Sequence, residues 1–241
     1  MALTDTLEEL KFSFETIVPD TFAVILAAGS STRMGENKQF ISIGGVPVIM
    51  RSVLAFEKAD EIMGIVIVAK SDDIPILQRL CDEYNITKLV DIVQGGDTRA
   101  ISAKNGVARC GSAEYIAIHD GARPLVTHAL IKTTVEAARI HGAAIPGTPL
   151  KDTIKIIDTT RRVEATPERS GLVAVQTPQV FKTAVYKDAL LKLGEKAEDL
   201  TDDAAILENA GYPVFVVSGE ESNIKITTPS DVVLANSFLE E

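Results

Sequence analysis

The chain has 241 residues, of which 46% are hydrophobic, so it can bury a core as one large domain. Its formal net charge of −10 argues against a protein that binds nucleic acid or an anionic membrane surface. Cys81 and Cys110 form no Cys-x-x-Cys motif and favour a reducing compartment, with both residues in the core. No apolar run approaches the roughly 20 residues of a membrane span.

The first 20 residues are acidic and resemble neither a signal peptide nor a basic transit peptide. They carry the side chains of Asp5, Glu8, Glu9, Glu15 and Asp20. We interpret residues 1–20 as an N-terminal extension, either an extra helix or a loose arm, and residues 21–241 as a single domain. The same features predict a cytoplasmic protein.

The first predicted strand leads into a loop of very different composition. Residues 22–28 are an unbroken apolar run, typical of a strand buried on both faces. In the loop, Gly29 and Gly35 allow backbone N–H groups to face an anion, and Arg33 and Lys38 add cationic donors. The spacing matches neither a P-loop nor a dinucleotide fingerprint. The stretch predicts a phosphate site, and an ordinary strand-to-helix turn with surface cations is the alternative.

Beyond this loop, helix and strand patterns alternate. Helical periodicity begins at residue 47, covers residues 72–84 and 97–109, and begins again at residue 127. Strand patterns lie between these helices at residues 63–68, 89–93 and 115–118. Such alternation predicts an α/β fold, with right-handed crossovers, a mainly parallel sheet and helices on both faces.

Three predicted strands end in polar loops that contain glycine, at residues 29–38, 94–99 and 119–124. Ligands bind where parallel strands end at their carboxyl side, so three such loops on one edge predict one pocket for an anionic ligand. In the second loop, Gly96 permits close approach of the backbone. Asp97 is either the N-cap of the next helix or a hydrogen-bond acceptor for a base.

Asp120 is a lone carboxylate at a strand end, followed by glycine, and is the candidate ligand for Mg²⁺. This ion is commonly held by one or two carboxylates together with substrate phosphates. No cluster of His, Cys and Glu has the spacing of a zinc or iron site. We therefore interpret His119, His128 and His141 as core or surface residues.

Between about residues 150 and 172 the pattern changes to that of a projecting β-arm. Residues 152–157 alternate polar and apolar side chains, residues 158–162 resemble a turn, and residues 163–166 return as a partner strand. An isolated hairpin is only marginally stable in water, so we expect the arm to pack on a second copy of the chain.

The last segment contains short elements. A helix is predicted at residues 202–210 with Thr201 as its cap, and Thr228-Pro-Ser-Asp231 resembles a capping box that begins the closing helix. Short strands are predicted at residues 214–217 and 223–227. Within the second of these, Lys225 points away from its apolar neighbours, so it faces either solvent or the site, and its position alone favours solvent.

Read together, the motifs resemble those of the 2-C-methyl-D-erythritol 4-phosphate cytidylyltransferase family, in the family's order from residue 22 to the C-terminus. They are residues 26–35 with Lys38-Gln-Phe40, Gly95-Gly-Asp-x-Arg99, His119-Asp-Gly-Ala-Arg-Pro124, Gln176-Thr-Pro-Gln179 and Asn223-Ile-Lys-Ile-Thr227. The resemblance implies a Rossmann-like fold, a homodimer with exchanged β-arms, and Mg²⁺. It also implies CMP transfer from CTP to 2-C-methyl-D-erythritol 4-phosphate, with release of pyrophosphate, in non-mevalonate isoprenoid synthesis.

The resemblance also implies roles for individual residues around CTP. The nucleotide would lie against the backbone of Ala27, Ala28 and Gly29. Cytosine and ribose would be recognised by Gly96, Asp97 and Ser102. The triphosphate would be bound by Arg33 and Lys38.

A second set of implied roles concerns the metal and the acceptor. Mg²⁺ would be held by Asp120, and the methylerythritol side by Arg123. The partner subunit's substrate would be reached from the arm region by Thr153 and Arg169. The phosphorylated substrates would be contacted by Thr201 and Lys225.

The implied mechanism needs no covalent intermediate, because the acceptor phosphate is already a nucleophile at neutral pH. Catalysis then comes from in-line positioning and from neutralisation of the pentavalent state by the metal and three cations, Arg33, Lys38 and Lys225.

Three alternatives remain at this stage. A ribitol 5-phosphate cytidylyltransferase shares the core motifs, although Glu168-Arg-Ser-Gly171 and Leu26-Ala-Ala favour methylerythritol by resemblance. A nucleotide-sugar glycosyltransferase normally has an Asp-x-Asp pair, whereas Asp120 is followed by Gly121 and Ala122. A non-catalytic nucleotide sensor would use the same pocket, and the presence of both phosphate-loop cations favours catalysis over it.

Overall fold

The computed structural model describes residues 18–29 and 37–239. The strands are β1 Thr21–Leu26, β2 Ser42–Ile43, β3 Val46–Pro47, β4 Ile62–Ala69, β5 Leu89–Gln94, β6 Tyr115–Asp120, β7 Ala143–Pro149, β8 Ile156–Ile157, β9 Val163–Ala165, β10 Val173–Val175, β11 Gln179–Lys182 and β12 Phe215–Ser218. The α-helices are α1 Val48–Glu57, α2 Ile74–Glu83, α3 Arg99–Val107, α4 His128–His141, α5 Thr183–Leu193, α6 Asp203–Asn209 and α7 Pro229–Ser237. Short 3₁₀ turns cover Lys38–Phe40, Ser71–Asp73, Arg169–Gly171 and Gly194–Asp199.

An eight-stranded sheet forms the centre of the described structure. Its order begins β5–β4–β1–β6–β11–β7, and β12 pairs with the far edge of β7. β10 and β12 both pair with Gly147, so they lie on opposite edges of β7. β10 therefore lies on the same edge of β7 as β11. Only β10 and β11 run against the other strands of this sheet. The prediction of a mainly parallel sheet is confirmed.

The apolar runs become central strands because helices cover both faces of the sheet. In β1, Ala23 and Ile25 pack into a core layer with α1, α2 and α4. Val24 points the other way, into a second layer with α3, α5 and α6. Successive side chains of β1 thus enter two different core layers, and for this reason the strand is an unbroken apolar run in the sequence.

Several strands escape the sequence analysis, namely the short β2, β3 and β10 and, within the central sheet, β7 and β11. β7 contains alanine, glycine and proline in place of a β-branched run, and β11 has only four residues after a proline segment. Both are buried between neighbours, so tertiary packing sets their conformation rather than local preference.

Some predicted helix and strand limits are wrong. The N-cap of α3 is Thr98, whose hydroxyl accepts from the Ile101 N–H, so Asp97 does not cap this helix. The N-cap of α6 is Asp202 rather than Thr201, since the Asp202 carboxylate accepts from the Ala205 N–H. Residues 223–227 form no strand; they run as an irregular segment toward α7.

The predicted arm is present as the antiparallel pair β8–β9. The Asp158 N–H donates to the Arg162 carbonyl, 3.0 Å away, and closes the turn between the two strands. The apolar side chains of Ile156, Ile157 and Val163 are about half exposed in the single chain, at 49%, 50% and 55%. The arm therefore presents an apolar surface outside the core.

Both cysteines are buried and unpaired, as predicted. Burial raises the pKa of the Cys81 thiol to about 11 and that of the Cys110 thiol to about 12, so both remain protonated at neutral pH. His119 is also fully buried, and α4 carries His128 and His141 near solvent, in agreement with the sequence interpretation. Across the residues that the structure describes, no helix is long and apolar enough to cross a membrane.

Candidate active site

The loops after β1, β5 and β6 surround one cavity of about 380 Å³ at the carboxyl edge of the parallel strands. Sequence analysis singled out eight residues that line it: Ala28, Gly29, Lys38, Gly96, Asp97, Ser102, Asp120 and Lys225. The cavity wall also includes Leu26, Gln39, Thr98, Arg99 and Ala122. The prediction that three polar loops build one pocket is confirmed.

Close backbone packing forms the wall around Gly95. A Cβ atom at this position would lie 2.4 Å from the Ala28 Cβ and 2.9 Å from the Ser102 Oγ. Glycine is required here because the loop after β5 passes directly between β1 and α3. The Ser102 hydroxyl accepts from the Gly96 N–H at 3.1 Å, so it also fixes the loop itself. Ala27 is buried beneath this wall and does not line the cavity.

Asp97 lies on the cavity wall and leaves the capping of α3 to Thr98. Of the two roles open to Asp97 from sequence, the N-cap is wrong. The remaining interpretation is that the Asp97 carboxylate, next to Gly96 on the cavity wall, accepts hydrogen bonds from a base.

Three cations surround Asp120. The Lys225 Nζ lies 2.8 Å from its Oδ2, the Arg123 Nε lies 3.7 Å from the same oxygen, and the Arg99 Nε lies 3.5 Å from its Oδ1. Burial opposes ionisation of this carboxyl, but Arg99, then Lys225 and Arg123, outweigh it and hold the pKa of Asp120 well below its usual range. Asp120 is therefore an anion at any physiological pH and cannot serve as a general acid.

Arg99 is the principal site residue that received no role from the sequence. Its Nη1 donates to Asp203, which is fully buried and also accepts from the Tyr186 hydroxyl at 2.7 Å. Although burial works against the charge, Asp203 and then Asp120 raise the pKa of Arg99. The signal was present in the sequence, because Arg99 ends the Gly95-Gly-Asp-x-Arg99 motif.

The segment at residues 223–227 brings two lysines to the cavity. Lys225 contacts Asp120 while its side chain stays 41% exposed, so it reaches the site and is also open to solvent. The Lys38 Nζ donates to the carbonyl oxygen of Ile226 at 3.1 Å. Two cations that are far apart in sequence thus line one cavity, because the segment that carries Lys225 also contacts Lys38.

The family model for 2-C-methyl-D-erythritol 4-phosphate cytidylyltransferase matches residues 21–241. A protein of that name from Caldanaerobacter subterraneus is 42% identical over 221 residues, which make up 90% of this chain and 97% of the relative. Another, from Syntrophotalea carbinolica, is 41% identical over 224 residues, or 91% and 96% of the two chains. The chain belongs to this family. As a cytidylyltransferase of this family, it transfers CMP from CTP to 2-C-methyl-D-erythritol 4-phosphate in isoprenoid biosynthesis.

Solved structures of cytidylyltransferases share the fold. The 4-diphosphocytidyl-2C-methyl-D-erythritol synthase of Anaerococcus prevotii superimposes with a TM-score of 0.82 at 33% identity, covering 92% of this chain and 96% of that one. The 2-C-methyl-D-erythritol 4-phosphate cytidylyltransferase of Thermus thermophilus gives 0.74 at 28% identity, covering 90% and 98%. The predicted Rossmann-like fold is confirmed.

Not every residue with an implied role in the cytidylyltransferase reaction reaches the cavity of one chain. Thr153 and Arg169 belong to the arm region, and the Arg169 Nη1 donates to the Lys151 carbonyl at 2.7 Å. Thr201 precedes the cap of α6 and does not line the cavity. Arg33 lies outside the described residues.

The resemblance seen in the sequence implies a magnesium ion, which would need oxygen ligands at the cavity. Across residues 18–29 and 37–239, no group of three His, Cys, Asp or Glu side chains could hold a metal. Asp120 offers a single ionised carboxylate at the cavity wall. This arrangement fits Mg²⁺ that takes one ligand from the protein and the others from phosphates and water.

Proposed function

We propose that the chain transfers CMP from CTP to 2-C-methyl-D-erythritol 4-phosphate by direct in-line attack of the acceptor phosphate on the α-phosphorus. The convergence of two lysines, an arginine and a carboxylate on a cavity with a glycine-lined wall carries this proposal. Such a site can bind a triphosphate and neutralise charge, and none of the residues that line it is a cysteine, serine–histidine pair or other activated nucleophile.

CTP lies across the carboxyl edge of the sheet in this proposal. The backbone of Ala28 and Gly29 contacts the nucleotide, and no atom of residues 18–29 and 37–239 lies within 4 Å of a Cβ added to Gly29, its chain neighbours aside. Gly96, Asp97 and Ser102 contact cytosine and ribose. The fixed loop after β5 supports this assignment, because a preorganised wall costs less entropy on binding.

Lys38, Lys225 and Arg33 stabilise the charge that develops at the α-phosphorus. Lys38 contacts the segment that carries Lys225, and both lysines line the cavity, so they can bind oxygens of the same triphosphate. Preorganised cations in a partly buried cavity stabilise a pentavalent state more strongly than mobile cations in water. The acceptor phosphate attacks as an anion and needs no general base.

Mg²⁺ would be held by Asp120 and the triphosphate, and when bound it supplies Lewis-acid neutralisation of the phosphate oxygens. Asp120 already accepts from Lys225 through Oδ2, so a metal held by this carboxylate would share it with the ion pair. Arg99 contacts the other oxygen and keeps the carboxylate oriented.

The active unit in this proposal is a cytoplasmic homodimer joined through the β-arm, with Thr153 and Arg169 serving the partner subunit's acceptor. The half-exposed apolar residues of β8 and β9 support it, since an uncovered apolar hairpin is unfavourable in water. The unpaired, buried cysteines are in keeping with a reducing compartment.

The test is pyrophosphate release from CTP and Mg²⁺, with 2-C-methyl-D-erythritol 4-phosphate and ribitol 5-phosphate supplied separately. We expect release with the first acceptor only. Release with the second acceptor only would contradict the assigned substrate and leave the phosphate site intact. Absence of release with both, in a protein that still binds CTP, would identify a nucleotide sensor.

A further inference from the structure

The turn that carries Asp120 and Arg123 is held through nearly every backbone group. The Arg123 N–H donates to the Asp120 carbonyl at 2.9 Å, and the Gly121 N–H donates to the Leu26 carbonyl at 2.9 Å. The Ala122 carbonyl accepts from the Ile226 N–H at 2.8 Å. The two remaining carbonyls, those of Gly121 and Arg123, accept from side chains.

Those side chains are Ser52 and His119, both fully buried. The Ser52 hydroxyl, on α1, lies 3.1 Å from the carbonyl oxygens of both Gly121 and Arg123. The His119 Nε2 lies 3.3 Å from the Arg123 carbonyl oxygen. Two elements, α1 and β6, therefore hold the same carbonyl group.

The hydrogen-bond pattern fixes the tautomer of His119. A carbonyl oxygen can only accept, so Nε2 carries the proton and Nδ1 accepts from the Thr177 hydroxyl at 3.0 Å. The same hydroxyl accepts from the Asp120 N–H at 3.0 Å. One continuous chain of bonds runs from the Asp120 backbone through Thr177 and His119 to the Arg123 backbone.

We propose that Ser52 and His119 are positioning residues for the cytidylyltransferase reaction: they hold the turn so that Asp120 faces the cavity and Arg123 stays beside Asp120. This inference rests on the proposed function for the roles of those two side chains. Neither Ser52 nor His119 lines the cavity, so neither contacts substrate in this arrangement. A small displacement of a charged group from its productive position costs catalysis strongly, whatever its distance from the supporting residue.

The test combines Ser52→Ala with His119→Leu and His119→Gln. Glutamine retains a donor near the Arg123 carbonyl, and leucine does not. We expect Ser52→Ala and His119→Leu each to lower kcat/KM for the acceptor about tenfold, with little change in KM for CTP. We expect His119→Gln to recover most of the activity that His119→Leu loses. The double variant Ser52→Ala/His119→Leu should lose less than the product of the single effects, because both changes release one peptide group.

Thr134→Val provides the matched control. The Thr134 hydroxyl is fully buried and donates to the Leu130 carbonyl within α4, so its removal costs stability in a helix that does not line the cavity. Equal losses of kcat/KM in Thr134→Val and Ser52→Ala, at equal losses of Tm, would contradict a positioning role. So would an equal loss in His119→Gln and His119→Leu.

Hydrogen–deuterium exchange of the peptide spanning residues 119–124 separates this inference from the proposed function. We expect faster exchange in Ser52→Ala and His119→Leu and parental exchange in Thr134→Val, whichever acceptor the parent uses. Parental exchange in both site variants would overturn the inference even where the cytidylyltransferase activity is present. An inactive parent with the expected exchange pattern would instead overturn the proposed function.

Discussion

Asp120 is where the charges of the site converge. Burial of a single carboxylate would raise its pKa, yet three neighbouring cations more than compensate. The Asp120 anion also keeps the three cations close together, because Arg99, Arg123 and Lys225 would repel one another without it. Asp120 therefore acts as an electrostatic anchor for the site.

Asp120→Asn should lower the free energy of unfolding by on the order of 3 kcal/mol at pH 7, because it removes the anion that Arg123 and Lys225 contact and one of the two that Arg99 contacts. The folded-state pKa lies below that of the unfolded chain, so the ionised carboxylate stabilises the fold fully above about pH 5. This stabilisation is lost as the pH falls toward the folded-state pKa. Urea unfolding of parent and variant at pH 7 and pH 3 should show a smaller difference at pH 3.

Asp91→Asn is the control for this measurement, since Asp91 forms an exposed ion pair with Arg109 at 3.3 Å. Asp91→Asn should lower the free energy of unfolding by less than about 1 kcal/mol. If the difference in unfolding free energy between the parent and Asp120→Asn is the same at pH 7 and pH 3, the assignment of a negative charge to Asp120 is wrong.

Lys38→Ala should lower kcat on the order of 10²-fold or more, by analogy with the loss of one preorganised oxyanion donor. Steady-state kinetics with CTP varied gives the measurement, and Lys132→Ala on the surface of α4 is the control. A variant with nearly parental kcat and only a raised KM would mean that Lys38 binds the ground state and the transition state equally.

At the residue scale, the sequence predicted which residues meet at one cavity where their type alone limits what they can do. Glycines and a lysine in polar loops and a carboxylate at a strand end were expected together, and they line the same cavity. Lys225 could not be assigned by its own pattern, because its partner Asp120 is distant in sequence and the intervening segment is irregular. The anchoring of Arg99 by Asp203 was likewise unpredictable, as it depends on how α6 packs against α3 and α5.

Helix α3 supports the cavity from below, and its contact with the sheet is close at Gly106. A Cβ atom there would lie 2.4 Å from the Val24 Cγ1 and 2.7 Å from the Val68 Cγ2. The helix can approach β1 and β4 at this distance only without a side chain. This contact sets the height of Arg99 and Ser102 above the sheet.

Gly106→Ala should therefore destabilise the protein by about 1–3 kcal/mol through overpacking, although alanine is the better helix former. Thermal or urea unfolding measures the change. Lys104→Ala, on the exposed face of the same helix, should change stability by less than about 0.5 kcal/mol. A more stable Gly106→Ala variant would show that helix propensity outweighs packing at this site.

The arm allows a test of activity shared between subunits. If Arg169 serves the partner's site, then mixing inactive Lys38→Ala with inactive Arg169→Ala should restore activity, because one site of each heterodimer contains both residues. Pyrophosphate release after subunit exchange, followed with a tagged chain, gives the measurement. Absence of recovery in exchanged heterodimers would place the function of Arg169 in its own subunit.

At the scale of elements, long periodic segments were predicted well, and short packed ones were not. The core helices and the apolar strands follow from their own periodicity. β7 and β11 owe their conformation to the neighbours between which they are buried, and the residue types of β7 carry no strand signal. The arm was found because polar and apolar residues alternate around a recognisable turn.

For the whole molecule, the arm surface predicts a dimer. The double variant Ile156→Lys/Val163→Lys places two charges on this surface and should convert the dimer to a monomer with reduced activity. Sedimentation measures the mass, and Leu191→Lys, which changes an exposed residue of α5 outside the arm, should remain dimeric. A parent that sediments as one chain would rule out the proposed dimer.

The contacts of Ile226 have a consequence for the order of folding. Its carbonyl accepts from Lys38 and its N–H donates to Ala122, so one residue joins the loop after β1 to the turn after β6. Lys38 and Ile226 are 188 positions apart, so forming this contact closes a very long loop of chain. The strands of the sheet all precede Ile226 and can pair without it, so we expect the cavity to be completed late in folding.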